Sequence, residues 1–179
     1  EGMPAFKALV YGKPTAKLKK PMKAAKIRER YGKQAHMVNE DGRYTVYVGG
    51  VTGAAQARGY LKGLDGGRLP VRKPHAALNT LLQSAGAILM KWALVILRDT
   101  SVANGLVWGK PWRTIEGEDY DFQFVGNIHD EIQTEVKETH AVRFGEFAVR
   151  AIAEAGRRLK FRVPLSGGAD VGDTWASTH

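Results

Sequence analysis

His129, Asp130 and Glu131 follow one another in the chain. Before them come Phe122, Phe124, Asn127 and Ile128. After them Ile132, Thr134 and Val136 alternate with Gln133, Glu135 and Lys137, the two-residue period of a strand. The triplet is therefore predicted at the turn of a β-hairpin, where carboxylates offer hard oxygen donors to a divalent cation and a tight backbone holds a short side chain at a fixed point. Simple solvation is the other reading of an Asp-Glu pair at a turn. A second group, His75, Asn79 and Gln83, is spaced four apart and forms a polar stripe on one side of a predicted helix. Gly86 and Ala87 follow it, and small residues there let another backbone come close. Zinc fits poorly, since His36, His129 and His140 have no ligand spacing and cysteine is absent.

These residues need a scaffold, and the composition allows one. Hydrophobic residues at 44% with charged residues at 25% are globular proportions, so the chain can bury a core. The lack of cysteine excludes disulfides, thiolate metal sites and cysteine nucleophiles. The most apolar stretch, residues 85–97, is cut by Lys91 and is shorter than the roughly 18 residues of a spanning helix, so a soluble protein without a membrane partner is expected. Glu1-Gly2-Met3-Pro4 has no signal-peptide pattern and no initiator methionine, which suggests a fragment. The net charge of +9 is uneven: residues 1–75 hold 16 basic and 5 acidic residues, and residues 76–179 hold 11 and 13. Ten lysines and arginines lie between Lys7 and Lys33 against the single acid Glu29. Such a face suits phosphate backbones, or is a solvated lysine-rich surface.

Along the chain, residues 22–31 read as a short helix opened by Pro21 and closed by Gly32. Residues 35–38 and 44–48 read as strands joined through the turn signal Asp41-Gly42. Gly49, Gly50 and Gly53 are expected to loosen the chain before a second short hairpin, residues 60–62 and 68–71. A helix is predicted over residues 74–98, about 37 Å long, with an apolar face of Leu78, Leu81, Leu82, Ala85, Ile88, Leu89, Trp92, Val95 and Ile96. Thr139 is the expected cap of a last helix reaching residue 159, with Val142, Phe147, Val149 and Ile152 inward. Residues 162–165 read as a final strand, confined to an edge by Pro164.

Three segments together resemble the carboxy-terminal part of family A DNA polymerases, the DNA polymerase I group, in its phage replicative branch. Residues 61–94, LKGLDGGRLPVRKPHAALNTLLQSAGAILMKWAL, are similar to the region joining the fingers to the palm. The run from Ile128 to Gln133 resembles the palm motif called motif C, and Trp175 four residues before His179 resembles the family's terminus. The resemblance implies an α+β fold, half of a polymerase palm, in which an antiparallel hairpin carrying the His-Asp-Glu turn packs with long helices. Residues 1–59 are then a basic region, the end of the fingers with an insertion, and residues 60–179 a carboxy-terminal palm portion. The family's upstream metal-binding aspartate and its nucleotide-gripping fingers helix have no convincing counterpart. Lys19, Lys23, Ile27 and Tyr31 have the steps of that helix but are interrupted by Pro21, so residues 13–50 read as the basic insertion.

The same resemblance implies Mg²⁺-dependent, two-metal nucleotidyl transfer. Asp130 would be a shared metal ligand, Glu131 a weaker or indirect one, and His129 a hydrogen-bonding group near the primer terminus. Asn79 and Gln83 would read duplex geometry from the minor groove, where every base pair offers acceptors. The alternative is that both amides cap or bridge neighbouring backbone. His75 takes the place of an Arg of many cellular members. Arg68, Arg72 and Lys73 would position phosphates, or form an exposed basic loop. His179 would pack against the palm, or fray. Expected partners are primer-template DNA, deoxynucleoside triphosphates and an upstream polymerase portion supplying the missing aspartate and helix, in the cytoplasm of a phage-infected bacterium. A non-catalytic nucleic-acid-binding module derived from the palm competes with this reading.

Overall fold

The computed structural model of the chain describes residues 2–109 and 119–178. It has antiparallel sheets and helices in two compact units, Glu1–Ala85 and Gly86–His179, an α+β composition in agreement with the residue patterns. This division by packing falls within a helix and is distinct from the family-based partition at residues 59 and 60.

In the first unit, α1 (Gly2–Tyr11) is followed by β1 (Lys13–Leu18), α2 (Ala24–Tyr31), β2 (Ala35–Glu40) and β3 (Arg43–Val48). The sheet is antiparallel with order β1-β3-β2. Ala16, Val46 and Met37 share one cross-strand row, and around them Ile27 of α2, Ala35 and Val46 form a small buried core. The predicted hairpin turn is present: Glu40 pairs with Arg43, and Asp41 and Gly42 both have positive φ, +50° and +80°, the signature of a type I′ turn. β1 was not anticipated, and α2 begins at Ala24 rather than residue 22, after Lys23 in extended conformation.

α3 (Gly50–Arg58) was also not anticipated, because its glycines were read as loosening the chain. They serve close approach instead. Gly53 is buried, and a Cβ there would sit 2.5 Å from the Gln34 carbonyl oxygen. Gln56 Nε2 donates to the Ala35 carbonyl at 2.7 Å, tying α3 to β2. The hairpin of β4 (Tyr60–Lys62) and β5 (Arg68–Pro70) follows as predicted. Leu61 and Val71 are buried with Ala55 and Ala77.

A single 3₁₀ turn, Pro74–Ala76, leads into α4 (Ala77–Ala103), five residues longer than predicted at its far end. The expected apolar face is corrected in part. Leu82, Trp92 and Val95 are exposed, while Met90, Ala93 and Leu97 are buried. A helix apolar around most of its girth does not itself say which side faces the core. Pro74–Ala103 is long and apolar enough to cross a membrane, contrary to the reading from residues 85–97, although the core helix of a soluble protein meets the same criteria.

In the second unit, Ala93, Ile96 and Leu97 meet Leu106, Phe122 and the buried face of α5 (Glu138–Arg158). That face is Phe144, Phe147, Ala151 and Ala155, at steps of three and four; Val142, expected inward, is 74% exposed. Thr139 does not cap α5. The cap position is Lys137, whose N–H continues the hairpin ladder to the Asp121 carbonyl, so the helix starts directly off the strand. Residues 162–165 form no strand: among the described residues no strand pairs with them, and Pro164 has no N–H to offer. Leu165 instead packs over Gly156, where a Cβ would come within 2.9 Å of it.

Phe122 is wholly buried, with its ring centroid 5.0 Å from that of Phe144. Phe122→Ala is expected to cost about 3–5 kcal/mol of unfolding free energy, and Val142→Thr within about 0.5 kcal/mol of nothing. Urea titration of the two variants checks both values.

Candidate functional site

The hairpin of β6 (Phe122–Ile128) and β7 (Glu131–Val136) pairs Phe122 with Val136 at its base and Ile128 with Glu131 at its tip. Only His129 and Asp130 are left for the turn. His129 has φ +55° while Asp130 does not have positive φ, the pattern of a type II′ turn. A register irregularity between Phe124 and Gly126 leaves Val125 62% exposed, so that Phe122 can stay in the core while the strand turns toward its tip. His129 and Asp130 are exposed and Glu131 is half-buried. The Glu131 carboxylate accepts a hydrogen bond from Gln133 Nε2, the residue two further along the same face of β7.

The base of this hairpin is held electrostatically. Asp121 Oδ2 accepts from the Val107 N–H at 2.8 Å, and Asp121 Oδ1 lies 3.0 Å from Lys137 Nζ. The Val107 N–H, and after it Lys137, stabilise the carboxylate and hold Asp121 below the usual carboxylate range. Lys137 also meets Asp119 at 2.7 Å, and its two carboxylate partners raise its own pKa. Asp119 and Asp121 lie in the acidic stretch from Glu116 to Asp121, and nothing in residue spacing ties them to Val107 or Lys137.

Asp130 and Glu131 are adjacent anionic oxygen donors at an open turn, a donor set that suits Mg²⁺ in kind. Among the described residues no group of three or more His, Cys, Asp or Glu side chains comes together to hold a metal. The turn therefore fits as part of a ligand shell that other donors would complete.

In the first unit the polar stripe also lies open. Ala77 is buried and Leu81 packs beside the same core, which fixes the start of α4 and leaves Asn79 and Gln83 exposed on its other side. Neither amide has a hydrogen-bond partner among the described residues, so the backbone-capping alternative is not what the structure contains. Thr80 bonds back to the Ala76 carbonyl at 3.0 Å instead. His75, Arg72 and Lys73 are exposed at the approach to the helix. The Arg68 guanidinium lies 4.9 Å from the Tyr60 ring centroid, which orients a cation that would otherwise sample many rotamers. His179 lies outside the described residues. The preceding 3₁₀ turn, Trp175–Ser177, is closed by reciprocal bonds between Thr174 and Ser177, with Trp175 57% exposed.

Comparison with known proteins matches residues 9–177 to the model of DNA polymerase family A. A protein named DNA-directed DNA polymerase from Enterobacteria phage T3 is 38% identical over 134 residues, which are 74% of this chain and 18% of that protein. The protein of the same name from Escherichia phage T7 matches with the same identity and coverage. That from Escherichia phage Phieco32 is 32% identical over 130 residues, 69% of this chain and 19% of the relative. The chain thus spans about a fifth of the length of the relatives it matches.

The Asp121 brace carries a pH signature. A carboxylate depressed by its partners adds stability that is complete above its unfolded pKa of 3.8 and is lost as pH falls through the lower folded value. Asp121→Asn is expected to be less stable than the unsubstituted chain at pH 7, with the gap closing steadily below about pH 4. Denaturation midpoints of both proteins between pH 7 and pH 2 measure that gap; a pH-independent gap contradicts the brace.

Proposed function

The chain belongs to DNA polymerase family A, and we propose from that premise that it contributes the carboxy-terminal palm portion of a DNA-directed DNA polymerase, as a fragment or a subunit. The observation that supports this reading most is the exposed Asp130 at the tip of a two-residue turn, whose register is fixed from a buried base. Residues 60–179 are the palm portion, and residues 1–59 the end of the fingers with a basic insertion. The expected partners are primer-template DNA, deoxynucleoside triphosphates and an upstream polymerase portion, in the cytoplasm of an infected bacterial host.

The reaction joins a primer 3′-hydroxyl to the α-phosphate of an incoming nucleotide and expels pyrophosphate. Two bound Mg²⁺ ions supply charge stabilisation of the attacking and leaving oxygens. Asp130 would be the ligand this chain offers them, and Glu131, engaged by Gln133, a weaker or indirect one. His129 donates or accepts a hydrogen bond near the primer terminus. An upstream aspartate and the fingers helix would complete the site, since among the described residues no three His, Cys, Asp or Glu side chains come together to hold a metal.

On α4, Asn79 and Gln83 present amide donors to purine N3 and pyrimidine O2 in the minor groove, which checks pairing geometry without reading sequence. His75 contributes at the start of the stripe, while Arg68, Arg72 and Lys73 position phosphates. The exposed Leu82, Trp92 and Val95 of α4 are the positions the upstream portion would cover; burying a large apolar side chain is worth about 1.5–3 kcal/mol.

The chain alone is expected not to extend a primed template, and the chain with the upstream portion to do so with Mg²⁺. In that assembly Asp130→Asn should lower incorporation by more than the roughly 10–100-fold typical of losing an indirect metal partner, with DNA affinity little changed. Extension by the pure chain would contradict the proposal. No extension by the assembly, with DNA binding retained, would favour the non-catalytic module.

Asn79→Ala or Gln83→Ala should weaken binding of a matched primer-template by about 0.5–1.5 kcal/mol, equally for all terminal base pairs, with no change in melting temperature. Anisotropy titrations beside thermal melts check this. Lower melting temperature with unaltered DNA binding would assign the amides to the fold alone.

A further inference from the structure

The chain leaves α1 and returns to α3 through one backbone crossing. A Cβ at Gly12 would lie 2.2 Å from the Val48 carbonyl oxygen and 2.7 Å from the Gly50 nitrogen, and a Cβ at Gly50 would lie 2.5 Å from the Gly12 nitrogen. Both glycines have positive φ, +84° and +65°. Directly beyond the crossing Lys13 pairs with Val48, so residues 13–48 go out and back from a single point. They are not a solvated tail: they form the sheet β1-β3-β2 with α2 packed on it through Ile27, which is 2% exposed.

This excursion carries ten lysines and arginines against Glu29, Glu40 and Asp41. Glu40 is already paired, with Lys7 of α1 at 2.9 Å. Lys19 and Lys20 in the connection after β1, and Lys23 and Lys26 at the start of α2, are exposed within eight residues. None of the four forms an ion pair or side-chain hydrogen bond among the described residues. Arg30, one turn after Lys26, is exposed above the Tyr31 ring.

We propose that residues 13–48 are a phosphate-binding module that adds affinity for duplex DNA to the polymerase, outside the palm contacts. The inference rests on the polymerase reading for the presence of a duplex. Its chemistry favours phosphate contact over base stacking, which needs exposed aromatic rings, since Tyr47 is buried and Tyr31 and Tyr44 are only partly exposed. Lysine-dominated, unpaired and solvent-facing charge suits phosphates as point charges and reads no sequence. Because entry and exit meet at one crossing, the module can be lost or gained without re-routing the rest of the first unit.

The test is duplex affinity of the full chain as a function of salt, which needs no nucleotide incorporation and so fails separately from the polymerase reading. Each phosphate contact contributes about 0.9 to the slope of log affinity against log salt. A variant with Lys19→Glu, Lys20→Glu, Lys23→Glu and Lys26→Glu should bind a blunt duplex at least about tenfold more weakly at low salt, with a slope flatter by about three to four. A deletion joining Gly12 to Gly49 should do the same, and thermal melting shows whether it folds; the charge-reversed chain carries the test if it does not. Unchanged affinity and slope in the charge-reversed chain would overturn the proposal. Tighter binding of polyglutamate than of duplex at equal charge would overturn it too, assigning the face to an acidic protein.

Discussion

The placement of Asp130 depends on a phenylalanine eight residues before it. Phe122 is sealed between α4 and α5, and it pairs with Val136 at the base of the hairpin. A strand's side chains alternate faces, so a slip of one residue would drive Phe122 into solvent and carry the turn off His129-Asp130. The buried ring therefore sets the register, and the register sets which residue stands at the tip. The Asp121 brace acts at the same end. It joins residue 107, the first strand and the start of α5 through one carboxylate, so the rigid part of the hairpin is its base and the exposed part is its tip.

A second constraint operates where the backbone passes itself. Gly12, Gly50 and Gly53 each lie where a side chain would collide with main-chain atoms. Two of them also need positive φ, which an L-residue with a Cβ adopts only at a cost. These glycines let α1, α3 and β2 approach more closely than side chains permit. The folded basic excursion is a consequence: its two ends are fixed beside each other, and its own small core does the rest.

The apolar surface left open on α4 has a counterpart in coverage. The family relatives are about five times longer than the matched segment, and Leu82, Trp92 and Val95 are the kind of exposed positions that a larger assembly would enclose. The amides of Asn79 and Gln83, on the side of α4 away from Ala77 and Leu81, make no side-chain hydrogen bond among the described residues.

Local chemistry was legible from the residues alone. Alternation over residues 122–136 gave both strands and the turn, Asp41-Gly42 gave another turn, and Pro74 with the three-four spacing from Leu78 gave a long helix over residues 74–98, which the structure has as Ala77–Ala103. Each is fixed by neighbours in the chain, through side-chain period and the backbone preferences of Asp, Gly and Pro. The tertiary structure decided what depends on distant partners. It placed Met90, Ala93 and Leu97 inside α4 in preference to Trp92 and Val95, and buried Phe144 while leaving Val142 in water. It also turned the glycines of α3 from expected looseness into close packing, and left residues 162–165 without a strand to join. In these cases residue type and spacing alone allow two outcomes. The choice between them is made by burial against, or collision with, atoms far away in sequence.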